Sequence, residues 1–142
     1  MVLVIGCWLA QQILVGLVPS PWWVPDLTLV GALHSVIRSP ARWLSYSMTG
    51  GLLVMAWAVR IPVALCLTYL TMGWVVCLLC RRWDVTDLRV QVLLIGAASL
   101  LLSTEALWLE GLWSLPRSAL AVGHAALGSL SALFIRRLSL KA

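Results

Sequence analysis

The chain is poor in acid. Only five of its 142 residues are Asp or Glu, and charged residues of both signs make up 11% of the total. A water-soluble domain of this length needs a hydrated, charged shell, which this composition does not supply. The same scarcity empties the usual catalytic checklist. No pair of carboxylates is set for acid and base work, no Ser has a recognisable base and oxyanion partner, and no glycine-rich turn follows a strand to hold phosphate. A non-enzymatic role is expected. Cysteine is also sparse, with four in all. Cys7 and Cys66 lie inside apolar runs, where a thiol acts as a small hydrophobe. Cys77-Leu78-Leu79-Cys80 offers two thiols where structural zinc takes four ligands, and no His or second Cys pair stands at finger-like spacing. Those residues read as packing groups, and neither a metal nor a cofactor is expected. Long linkers, internal repeats and low-complexity tracts are missing as well.

What is present is apolar residue, 62% of the chain, with a mean hydropathy of +1.00. It falls into six runs, at about 2–18, 22–37, 43–59, 61–80, 90–109 and 118–135. The ten cationic residues gather in the gaps between them and just after the last. If the first run enters from the cytoplasm, one side collects Arg38, Arg42, Arg81, Arg82, Arg89, Arg136, Arg137 and Lys141, and the other only Arg60 and Arg117. Eight against two follows the inside preference of Lys and Arg, so both termini are expected in the cytoplasm. The expectation is an all-α, polytopic membrane protein of six short transmembrane helices, with residues 1–142 forming a single integral membrane domain. The net charge of +5 does not indicate nucleic acid, because the basic residues are dispersed at span ends and form no phosphate-tracking face. Val4-Ile5-Gly6-Cys7 faintly resembles a lipoprotein cleavage site, but no basic segment precedes it, so residues 1–18 read as a retained first span.

The spans are short. A perpendicular helix needs about 20 residues to cross the hydrocarbon core, a length that only 61–80 and 90–109 reach comfortably. The others thin the bilayer or hide against neighbours. Pro19, Pro21 and Pro25 leave the second run helical only from about Asp26 to Ile37, with Asp26 placed as its N-cap. Trp22 and Trp23 then sit at the outer rim, and with Trp43, Trp83, Trp108 and Trp113 they form interfacial belts. Pro62 fits the first turn of the fourth helix, Thr86 or Asp87 can cap the fifth, and Pro40 and Pro116 mark turns.

Small residues recur at three- and four-residue steps on the last two spans. Gly96, Ser99, Ser103 and Ala106 line the fifth; Ser118, Ala121, Ala125, Gly128 and Ala132 line the sixth. Such stripes let helices approach closely in lipid, either within the chain or with a separate membrane partner; Gly50-Gly51 reads similarly. Polar groups at membrane depth are the other candidates. Glu105 lies roughly 7 Å from the outer end at 1.5 Å per residue, with His124 at similar depth on the sixth span. Three readings stand: Glu105 reaches outward beside Glu110, it forms a buried pair with His124, or it serves transport or regulation. His34 and Gln11-Gln12 read as interhelical hydrogen-bonding groups.

Along the chain come the Gln12 end of the first span, the Trp- and Pro-rich loop into Pro25-Asp26-Leu27-Thr28-Leu29-Val30, and the turn Arg38-Ser39-Pro40-Ala41-Arg42. Gly50-Gly51-Leu52-Leu53 follows, then Tyr69-Leu70-Thr71-Met72-Gly73-Trp74 before Arg81-Arg82, and the closing Arg136-Arg137. This order of features resembles the rod shape-determining MreD family of bacteria. One departure is the Asp that the family often carries just after the Gly-Leu-Leu, where this chain has Val54, Met55, Ala56 and Trp57. The resemblance implies a multi-pass protein of the bacterial inner membrane that acts as a scaffold in cell-wall elongation. It would bind an MreC-like single-span protein and, through it, associate with MreB, RodA and a class B penicillin-binding protein. The family is also similar to the substrate-binding subunits of energy-coupling-factor transporters, which implies a second reading as a vitamin-type binding subunit. A vitamin binder needs a polar-lined cavity beneath the outer loops, whereas an adaptor needs only a complementary helix face. Outer loops of about Pro19 to Pro25, Arg60 to Pro62 and Glu110 to Arg117 leave little to close over a ligand, and favour the adaptor, although Trp22, Trp23, Trp113, Glu105 and Glu110 stand where they would line a small outward pocket.

Overall fold

The computed structural model describes residues 1–19, 24–56, 62–83, 85, 87–109, 111 and 114–141. Among them the chain is all-helical, with six α-helices and no strand: α1 (Val2–Leu17), α2 (Leu27–Arg38), α3 (Trp43–Met55), α4 (Pro62–Leu79), α5 (Leu88–Leu109) and α6 (Leu115–Lys141). A 3-10 turn at Pro40–Arg42 joins α2 to α3.

Proline and short polar side chains set the boundaries. Val18 and Ser39, each preceding a proline, leave the helical region with ψ of 134° and 73°, because the proline ring clashes with a helical predecessor. Pro62 opens α4, where its missing N–H costs no intrahelical bond. The Asp87 carboxylate accepts from the backbone N–H of Arg89 at 2.9 Å and so caps α5. Thr86, Trp22, Trp23, Trp57, Arg60, Glu110 and Trp113 lie outside the described residues. After α5, Gly111 adopts a φ of +66° with its N–H on the Trp108 carbonyl, a left-handed stop that glycine takes without a Cβ penalty.

The shortest helix is the centre of the molecule. Every residue from Thr28 to Ile37 of α2 is buried, and α1, α3, α4, α5 and α6 all pack on it. Its length of roughly 18 Å at 1.5 Å per residue falls well short of a bilayer core. The other helices enclose it, so its backbone meets protein on all sides. Around it stand two closely packed antiparallel pairs, α3 with α4 and α5 with α6, while α1 lies on α2 and α3.

Glycines carry the close approaches. A Cβ on Gly51 would stand 3.2 Å from the Cα of Cys66, and one on Gly50 would meet the Tyr69 ring at 2.9 Å, so α3 and α4 sit nearly backbone to backbone. Gly31 of α2 likewise receives the Cys7 thiol of α1. The outward surface is apolar: Leu93, Trp108 and Phe134 are 71%, 71% and 75% exposed. Two stretches, Leu88–Leu109 and Pro116–Arg137, are long and apolar enough to cross a membrane, and Val2–Leu17, Leu27–Arg38 and Val63–Leu79 are shorter apolar helices.

Candidate functional site

Polar side chains from five helices converge on the N-terminal end of α2. The first turn of any helix leaves backbone N–H groups without intrahelical partners, and burial makes each of them costly. Asp26 and Gln11 meet that demand. Asp26 Oδ1 accepts from the Leu29 N–H at 3.0 Å. The Gln11 side-chain oxygen, reaching across from α1, accepts both the N–H and the hydroxyl of Thr28, at 2.9 and 2.8 Å. The buried carboxylate of Asp26 is held in turn by the Tyr69 hydroxyl of α4, which stands 2.9 Å from Oδ1 and 3.0 Å from Oδ2. Tyr69 is itself packed against the bare backbone of Gly50. Asp26, Tyr69 and Gly50 therefore form one assembly: the glycine admits the ring, the ring aims its hydroxyl, and the hydroxyl holds the cap.

His124 of α6 ties a second strut to the same place. One ring nitrogen, Nε2, lies 2.8 Å from the Val24 carbonyl just ahead of the cap. A carbonyl only accepts, so Nε2 carries the proton, and in a neutral ring Nδ1 then accepts the Ser103 hydroxyl at 2.9 Å. This clamp joins α5, α6 and the segment entering α2. Glu105, two residues beyond Ser103, takes a different partner: its Oε2 accepts the Thr68 hydroxyl of α4 at 2.5 Å. Glu105 and His124 share the same end of the bundle, but these hydrogen bonds run to different helices. Thr68 and Tyr69, adjacent in α4, thus serve the two carboxylates.

The small-residue stripes lie against each other within the chain. A Cβ on Gly128 would meet the Ser99 hydroxyl at 2.6 Å, and one on Gly96 would collide with the Ser129 hydroxyl. Ser99, Ser103, Ala121, Ala125, Gly128 and Ala132 are buried, while Gly96 and Ala106 are half-buried. The faces considered for a partner are thereby taken up by the α5–α6 pair. Cys77 is buried with its thiol 3.5 Å from the Pro40 carbonyl, and among the described residues no group of three or more His, Cys, Asp or Glu is placed to hold a metal.

Sequence reasoning identified Asp26 as a cap but did not find Tyr69 or Gln11 as its companions. The signal was faint but physical, since a phenol in the middle of an apolar helix needs an acceptor for its O–H. Two of the grooves open on the surface follow the α4/α5 and α1/α6 seams. One, of about 610 Å³ between α4 and α5, is lined by Met72, Leu101, Thr104, Glu105 and Trp108. The other, of about 660 Å³, runs between α1 and α6 past Gly6, Ala10, Leu127 and Phe134 and is almost wholly apolar. Comparison of the chain with protein-family models, curated proteins and solved structures returns no match.

Proposed function

We propose that this chain is a non-enzymatic integral membrane adaptor of the MreD type, with six spans and both termini in the cytoplasm of a bacterial cell. In this reading it belongs to the inner-membrane machinery of cell-wall elongation. Its direct partner is an MreC-like single-span protein, which links it to MreB, RodA and a class B penicillin-binding protein. The observation that carries the reading is the Gly50–Tyr69–Asp26 assembly. Three of the segments on which the resemblance rests, Pro25 to Val30, Gly50-Gly51 and Tyr69 to Trp74, are far apart in sequence and meet at one point. A fourth, the Gln end of the first span, joins them through the Gln11 to Thr28 bonds.

The polar chemistry favours an adaptor over a vitamin binder. Asp26, Tyr69, Gln11, Thr28, His124 and Ser103 are turned on one another, so their hydrogen-bonding capacity is directed to holding helices. A ligand site keeps convergent polar groups facing a cavity. The apolar outer surface and the wrapped α2 suit a lipid solvent, because no irregular backbone of that segment needs to meet hydrocarbon.

Co-expression with the MreC-like protein of the same bacterium, followed by purification in mild detergent, tests the assignment. A stable complex of the two, together with rounding of rod-shaped cells when the gene is depleted, is the expected result. A stoichiometric small metabolite bound to the purified protein, with no effect of depletion on cell shape, would overturn it in favour of the transporter subunit.

A further inference from the structure

We propose that the α4/α5 groove seats a partner's transmembrane helix carrying a lysine or arginine at the depth of Glu105. The inference rests on the six-span reading above and adds to it the docking face and the chemistry of its occupant.

Glu105 does not reach for the end of its helix. It turns sideways to the Thr68 hydroxyl, its one hydrogen-bond partner among the described residues, so Oε2 is occupied and no donor among those residues is on Oε1. A carboxylate accepts several hydrogen bonds, and at membrane depth an uncompensated one is expensive. The rest of the groove is built to receive a cation on a helix. Trp108, 71% exposed, lines the same wall one turn away, and an indole is a side chain on which a guanidinium or ammonium can stack. Leu101, 53% exposed, and Met72 supply an apolar bed, and the methionine adapts to the shape laid against it. The α4–α5 seam is sparsely packed compared with its neighbours, so the trough between them is unfilled by the described residues.

Charge selects the occupant. A lipid tail in the groove would leave the carboxylate without a counter-charge. Among the described residues, a second copy of this chain brings a cation to this end at Arg117, near the start of α6, whereas Glu105 lies four residues inside α5. The α1/α6 groove is equally roomy, but its walls carry no carboxylate.

The test uses the full-length protein reconstituted in vesicles and two synthetic single-span Leu/Ala peptides. One peptide carries a Lys one turn below its outer end and the other has Leu there, and binding is read by energy transfer. The Lys peptide is expected to bind the wild type about tenfold more tightly than it binds Glu105→Gln, with the Leu peptide indifferent to the change. Leu101→Trp, which fills the groove and leaves Glu105 in place, should also abolish the preference. Gly6→Leu, which fills the α1/α6 groove, should preserve it. Equal binding of the two peptides to the wild type would overturn the proposal. So would a preference abolished by Gly6→Leu but kept in Leu101→Trp, or self-association of the protein that Glu105→Gln abolishes. Because the peptides are synthetic, failure to bind an MreC-like protein would sink the adaptor reading and leave this result standing.

Discussion

Tyr69→Phe removes one oxygen atom from the interior and leaves the Asp26 carboxylate with backbone partners alone. A hydrogen bond to a charged group is worth about 1.5–3 kcal/mol, so the melting temperature in detergent should fall clearly. Asp26→Ala should cost more, because it strands the Leu29 N–H and the tyrosine hydroxyl together. The double variant should be little worse than Asp26→Ala, since both changes break one assembly; strict additivity of the two losses would show that the assembly does not act as a unit. Ser103→Ala deprives His124 Nδ1 of its donor and should cost about 1 kcal/mol, read in the same melts. The Asp26 cap was legible in the sequence because capping depends on a residue and its next three neighbours. Its partners were not, because Gln11 and Tyr69 lie 15 and 43 positions away and only folding brings them there. Pairing Glu105 with His124 was a reasonable inference from depth. Depth, however, does not set azimuth, and rotation about the helix axis turned Glu105 to Thr68 and His124 to Ser103 and Val24.

Glycines divide the helices into those that touch and those that do not. Gly51→Leu would drive a side chain into the Cys66 backbone, where nothing flexible can yield, and should destabilise the α3–α4 pair by about 1–3 kcal/mol or more. Gly123 is the contrast, because a Cβ there would meet nothing within 4 Å. Gly123→Ala should leave packing intact and raise stability by about 0.5–1 kcal/mol through helix propensity alone. A comparison of melting temperatures checks both, and a fall for Gly123→Ala would mean that this face has a neighbour. The ends of α1, α2, α4 and α5 were readable to within one or two residues, since prolines and Asp caps act locally. In contrast, α3 stops at Met55, short of the expected 59, and α6 runs from Leu115 to Lys141 where 118–135 was expected. Pro116 sits in the first turn of α6 rather than in a loop, and the basic Arg136-Arg137 pair does not end a helix. The use of the small-residue stripes was not: spacing defines a face, while the choice between a neighbour in the chain and one outside depends on where the other helices lie.

The distribution of cations makes a prediction for the molecule as a unit. Single cysteines replacing Arg82 and Arg137, both exposed, should react with an impermeant thiol reagent only when the cytoplasmic face is opened. A cysteine replacing the exposed Arg117 should react in intact spheroplasts. These assays use a background in which the four native cysteines are replaced. Labelling of the Arg137 position from outside would refute the six-span serpentine. Apolar content, the number of helices and the limits of those bounded by a proline or an Asp cap follow from composition and from local punctuation, because hydropathy and backbone stereochemistry act over a few residues. The enclosure of α2, the mutual burial of the α5 and α6 stripes, and the open α4/α5 trough with its carboxylate belong to the tertiary arrangement. They depend on which helix faces meet, and side-chain patterning restricts those pairings without selecting among them until all six helices pack together.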